Sequence, residues 1–221
     1  MNGTLIKKPS ADVLFYPGCY VHSPTTLNHT LLLLDYHKIN YSILGGMNTC
    51  CGLPHLLQGR YDKAEENLRQ LHQSIIESDC RIVISGCLEC VEAIKLAQHL
   101  YQGEYQGKSI HEYLLGKINP KKTKKLGNTL ILKGCRSTNT KILETQLKAH
   151  SQHITTKKGC CAHWSLGYKD SNKKLIEELQ QEVTQNNIQS IVCDCLTCYE
   201  ELKDKIKTPT LELCQLLEET K

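Results

Sequence analysis

The chain reads as an α/β protein of two tandem, homologous domains, each with a small, mostly parallel sheet and with its cysteines gathered at loop edges. Three observations predict this. A phrase of five cysteines occurs twice, short apolar runs alternate with stretches of helical spacing in both halves, and a lysine-rich segment without apolar periodicity separates them. The repeat further predicts that a pseudo-two-fold axis relates the halves, with the cysteine loops near the shared interface and the lysine-rich segment outside.

The elements follow in order. Val13 to Tyr16 is a continuous apolar run, the mark of a buried strand, and Gly18 turns it sharply into Cys19. After Pro24, Leu27, Leu31 and Leu34 recur at helical spacing. Tyr41 to Leu44 is a short strand that runs through Gly45 and Gly46 into the pair Cys50 and Cys51. Ala64, Leu68, Leu71 and Ile75 form one apolar stripe of a second helix. Arg81 to Ser85 is a strand, Gly86 a turn, and Cys87 to Cys90 opens a helix that carries Val91, Ile94 and Leu100. The second half repeats the plan: a strand at Leu130 to Leu132 leading to Gly134 and Cys135, a helix around Ile142 to Leu147, and the pair Cys160 and Cys161. A helix through Ile176, Leu179 and Val183, a strand at Ile191 and Val192, and a helix from Leu196 complete it. Strands that alternate with helices favour parallel sheets, whose ligands sit beyond the carboxyl ends of the strands. All ten patterned cysteines fall in loops or at element starts.

The 221 residues divide accordingly into an N-terminal domain over 1–118, a linker over 119–128 and a C-terminal domain over 129–221. A net charge of +4 is modest and its lysines concentrate in the linker, so it reads as a solvated connection and no nucleic-acid partner is expected. Residues 1–8 lack the apolar core of a signal peptide, and Leu31 to Leu34 is far shorter than the roughly 20 residues of a membrane span, which makes the cytoplasm the expected location, with membrane association only through partners. No glycine-rich dinucleotide turn, no phosphate-binding loop and no CxxCxxCxxxCP run occurs, so nucleotide cofactors and ferredoxin-type clusters belong to other proteins.

Thirteen cysteines form an odd set, which complete disulfide pairing within one chain cannot satisfy, and a reducing compartment favours metal or redox chemistry. The first phrase is Cys19, Cys50, Cys51, Cys87 and Cys90, with 30 and 35 residues in its two long gaps. The second is Cys135, Cys160, Cys161, Cys195 and Cys198, with 24 and 33. Flanking text repeats too: VLFYPGC with LILKGC, and IVISGCLECVEAIK with SIVCDCLTCYEELK. Five thiols are one more than a tetrahedral zinc site takes, and adjacent cysteines diverge along the chain, so they reach two metal atoms more easily than one. An iron-sulfur assembly accommodates that, while zinc at one or both sites stays open as the alternative.

The order of a cysteine, a long gap, Cys-Cys-Gly, a second gap and CxxC, present twice, resembles the CCG or cysteine-rich domain carried by one of the subunits of heterodisulfide reductase. That family also includes iron-sulfur subunits of lactate, glycolate, glycerol-3-phosphate and some succinate oxidoreductases. The resemblance implies a noncubane 4Fe-4S cluster in each half, two in all, held by the five cysteines of each phrase; Gly18, Gly52, Gly86 and Gly134, lacking side chains, are expected to shape the pockets there. It implies an oxidoreductase subunit that reduces a small disulfide or passes electrons toward a thiol or quinone. Its partners would be electron-transferring subunits of ferredoxin-like or flavoprotein type. The second copy departs from the pattern, with Ala162 where the motif glycine stands. His55 and His163 follow the two pairs and are candidate proton donors to a departing thiolate. Cys193, Cys80, Cys214 and Trp164 read as packing residues, Cys80 and Cys214 on helical stretches and Cys193 behind the second site. A protein whose metal only holds the halves together, or serves to recognise a partner, is the competing class.

Overall fold

The computed structural model describes residues 4–18, 24–45, 49–114, 125–137, 144–145, 147–148, 151–161, 168–212 and 215. Cys19, His163, Trp164, Cys214 and most of the expected linker lie outside them. The chain divides into two compact units, Met1–Tyr113 and Leu114–Lys221.

The first unit is built on a five-stranded sheet in the order β1-β3-β2-β4-β5. Its strands are β1 (Thr4–Ile6), β2 (Val13–Phe15), β3 (Tyr41–Gly45), β4 (Ile82–Ser85) and β5 (Gln106–Ser109). β2 pairs in parallel with β3 and β4, and β4 with β5, whereas β1 runs antiparallel against β3. The helices are α1 (Pro24–Tyr36), α2 (Leu53–Leu57), α3 (Tyr61–Ser78), α4 (Leu88–Leu100) and α5 (Ile110–Leu114). Leu14, Leu44 and Val83 project from the central strands into one cluster with Leu68, Leu71 and Ile75 of α3 and Ala93, Ile94 and Ala97 of α4. Their neighbours Val13, Phe15 and Ile84 point to the other face and are buried as well. Burial on both faces is why these strands are continuously apolar. On α3 the buried positions Ala64, Leu68, Leu71 and Ile75 recur every three or four residues, so one stripe meets the sheet and the charged remainder meets water.

The second unit has four strands, β6 (Gly127–Lys133), β7 (Ser151–Lys158), β8 (Ser190–Cys193) and β9 (Thr210–Glu212), all parallel, in the order β7-β6-β8-β9. Its longer helices are α6 (Tyr168–Gln185) and α7 (Leu196–Leu202). Placing β6 on β2, β7 on β3, β8 on β4 and β9 on β5 makes the two parallel cores identical in strand order. The textual repeat is thus a repeat of topology, with β1 an addition to the first copy. Of the helix expected around Ile142, residues 144–145 and 147 are helical and the rest lies outside the described residues. Among the described helices none is long and apolar enough to cross a membrane.

Candidate functional site

Parallel strands deliver their carboxyl ends to one edge, and the described cysteines of the two repeated phrases follow that edge. In the first unit β2 ends before Gly18, β3 before the loop of Cys50 and Cys51, and β4 before Gly86 and Cys87. Tyr16 donates its hydroxyl to the carbonyl of Thr49 at 2.6 Å and so pins the loop just ahead of the pair. Cys87 is the extended N-cap residue of α4, and the Val91 N–H donates to its carbonyl, so CxxC places its second thiol, Cys90, on the first turn of the helix. The thiols form a connected set: Cys51 bonds Cys50 and Cys90, and Cys90 bonds Cys51 and Cys87. Cys50 is half-buried, whereas Cys51, Cys87 and Cys90 are buried. Contact with Cys50 does most to push the Cys51 thiol up, with burial and Cys87 adding to it and the bonds from Cys90 and the Leu53 N–H opposing. Cys90 is raised well above the thiol range by its bonds to Cys51 and Cys87 and by complete burial. The Cys87 thiol also donates to the buried carboxylate of Glu89 at 3.4 Å.

The second unit repeats these contacts with its own residues. Cys195 is the extended N-cap of α7, and Cys198 on the first turn bonds Cys161 and Cys195, which with burial raises it well above the thiol range. Cys160 and Cys135 are exposed, and Cys161 is buried. Asp194, only 5% exposed, accepts the Gly134 N–H at 2.7 Å, tying the loop of Cys135 to that of Cys195. Asn172 of α6 donates to the Cys161 carbonyl at 3.1 Å and accepts from Lys205 at 3.2 Å. Cys193 ends β8 fully buried, and burial chiefly, then Cys195 and Asp194, push its thiol up. Among the described residues no three His, Cys, Asp or Glu side chains are set out to hold a metal ion.

The family model of the cysteine-rich domain named CCG matches residues 13–95, from β2 into α4. No curated protein sequence matches the chain. Among solved structures, a hypothetical protein from Helicobacter pylori shares the fold with a TM-score of 0.59 at 12% identity; all of this chain aligns with 51% of that one. A glutamate racemase from Bacillus anthracis reaches a TM-score of 0.43 at 14% identity over 95% of this chain and 79% of its own. An aspartate racemase homologue from Pyrococcus horikoshii reaches 0.41 at 7% identity over 93% and 95%. Likeness at those two levels says nothing about activity.

Within the matched residues the structure brings together Cys50, Cys51, Cys87 and Cys90, and it places Gly18 against them: a Cβ there would stand 2.7 Å from the Cys90 sulfur. Cys19 follows Gly18 and lies outside the described residues. Gly52 lies in close contact with α3. A Cβ on Gly52 would stand 2.7 Å from the Ala64 carbonyl oxygen and 3.1 Å from the Asn67 Cβ, so the glycine lets α3 close onto the cysteine loop. Gly86 is buried between β4 and Cys87. His55, on α2, keeps a buried Nδ1 with no partner among the described residues. Cys80 is a core thiol as expected but follows the helix, beyond Asp79, and donates to the Ala11 carbonyl at 3.2 Å. Sequence reading passes over Asn67, Asn172, Asp194 and Glu89. Asp194 alone carries a signal, since it occupies the place of Gly86 in the repeated text.

Proposed function

We propose that the protein is an iron-sulfur redox subunit, with Cys19, Cys50, Cys51, Cys87 and Cys90 holding one noncubane 4Fe-4S cluster and Cys135, Cys160, Cys161, Cys195 and Cys198 the other. One observation carries this reading: in each unit, thiols from different loops meet at the carboxyl edge of a parallel sheet, in hydrogen-bonding reach of one another. The donor set fits such a group. Soft thiols are concentrated there, and Cys51, Cys90 and Cys198 are raised by contacts with neighbouring thiols and by burial, so those three give up their protons more readily when positive charge arrives to replace them.

When bound, the cluster supplies one-electron chemistry at a metal with affinity for sulfur. The chain's own residues do the rest. Tyr16 and Thr49 hold the pair loop, Asp194 holds Gly134, and the half-buried Cys50 lines a pocket. His55, with its unpartnered Nδ1, is the proton source for a thiolate released near Cys50. The chain lacks ferredoxin-type motifs, so electrons come from a ferredoxin-like or flavoprotein partner, and the product is a reduced disulfide or an electron passed onward.

Anaerobic purification tests the reading. The protein is expected to be brown, to contain iron and acid-labile sulfide in similar amounts, and to give a paramagnetic signal that appears or vanishes on reduction. Colourless protein with stoichiometric zinc would overturn it.

A further inference from the structure

A pocket of about 230 Å³ lies against Cys50, between the pair loop and α3. It is smaller than the roughly 300 Å³ at which drug-sized sites begin, so its guest is small. Leu44 and Leu71 give it apolar lining, Cys50 a thiol, and Arg69 and Glu77 of α3 charges of opposite sign. Asn67 also lines it. That residue is 8% exposed and none of its polar atoms is buried without a partner, so its carboxamide opens on the pocket. A carboxamide that lines a pocket can donate to and accept from a polar guest.

The other unit supplies the contrast. Asn172 lies on α6 as Asn67 lies on α3, and there the carboxamide is occupied by the Cys161 carbonyl and Lys205. Of the two carboxamides, only that of the first unit is open.

Resting on the redox reading above, we propose that this pocket binds a small amino-acid thiol, or one half of the corresponding disulfide, with its sulfur toward Cys50. The methylene stem would lie on Leu44 and Leu71, the carboxylate on the Arg69 guanidinium and the ammonium toward Glu77, with Asn67 bonding whichever polar group lies deepest. A guest with both charges matches a rim with both signs, which a purely anionic or purely cationic thiol does not.

The test uses S-methylcysteine, an inert stand-in that neither exchanges with thiols nor reduces metals, followed by ligand-observed NMR and calorimetry on the full chain purified anaerobically. Binding is expected, with affinity falling about tenfold or more for 3-(methylthio)propionate, which lacks the ammonium, and for 2-(methylthio)ethylamine, which lacks the carboxylate. Arg69→Ala, on the exposed side of α3, and Asn67→Asp, which keeps the shape of the side chain, should each weaken S-methylcysteine by a similar factor while iron content stays at the wild-type level. Iron-loaded protein that ignores S-methylcysteine, or binds all three probes equally, overturns the pocket and leaves the redox reading standing. Iron-free protein that binds S-methylcysteine through Asn67 and Arg69 overturns the redox reading and leaves the pocket.

Discussion

Gly18→Ala probes how closely the backbone approaches the first thiol set. Two costs are built into the position. Gly18 has φ of +78°, where an L side chain costs about 1–2 kcal/mol, and the added Cβ would lie 2.7 Å from the Cys90 sulfur. Cys90 is itself buried among Cys51 and Cys87, so the sulfur has nowhere to retreat, and overpacking of this kind costs about 1–3 kcal/mol. The sum, about 2–5 kcal/mol, is a large part of a small domain's stability. Gly59→Ala separates the two terms. Gly59 has φ of +74° with nothing within 4 Å of the place a methyl group would take, so it carries the backbone cost alone. Calorimetric unfolding should therefore show Gly18→Ala lowering the first unit's transition well beyond Gly59→Ala. Adding Cys90→Ala to Gly18→Ala should remove the excess, since the sulfur is gone. Equal effects of Gly18→Ala and Gly59→Ala would refute the contact, and with it the idea that the glycine exists to let the backbone meet the thiols.

Other perturbations separate ligands from packing. Cys51→Ser and Cys161→Ser should each remove about half of the bound iron, because a hydroxyl replaces thiolate poorly, whereas Cys80→Ser should leave iron content unchanged. Asp194→Ala strands the buried Gly134 N–H and should cost the second unit about 1–3 kcal/mol in urea unfolding, with Asp194→Asn milder because an acceptor oxygen remains. Lys133 lies 2.9 Å from Glu144 and holds its carboxyl below the usual range. The ion pair's contribution is thus present above the unfolded carboxyl pKa and is lost as pH falls through the depressed folded value. Wild type should exceed Glu144→Gln by no more than about 1 kcal/mol at neutral pH, the partly exposed pair being screened, and the gap should close in acid.

Which parts of the fold are legible in the sequence follows from where each strand lies. β2, β4, β6 and β8 are interior strands covered on both faces, and they announce themselves as VLF, IVIS, TLIL and IV. β3 is legible for the same reason. The strands that escape, β1, β5, β7 and β9, are the edges of the two sheets. An edge strand is wetted along one side and need not be apolar: β5 is QGKS and β7 is SQHITTKK. The short helix α2 escapes because five residues show no period. At the site, CxxC and the adjacent cysteines speak through their spacing, and the convergence of their thiols is foreseeable from strand order alone. Asn67 is not, because an asparagine on a helix ordinarily reads as surface, and only the closeness of Gly52 to Ala64 draws it inward.

The outward and inward members of each cysteine pair give the protein an order of injury in air. Oxidation follows access as well as thiolate character, so among the described cysteines Cys135 and Cys160, both exposed, and then the half-buried Cys50 stand first on the ladder to sulfenic acid. Cys51, Cys87, Cys90, Cys161, Cys195 and Cys198 are shielded behind them. Early lesions therefore form where a small thiol can reach and reverse them, before the sulfurs that no repair reagent can approach are touched.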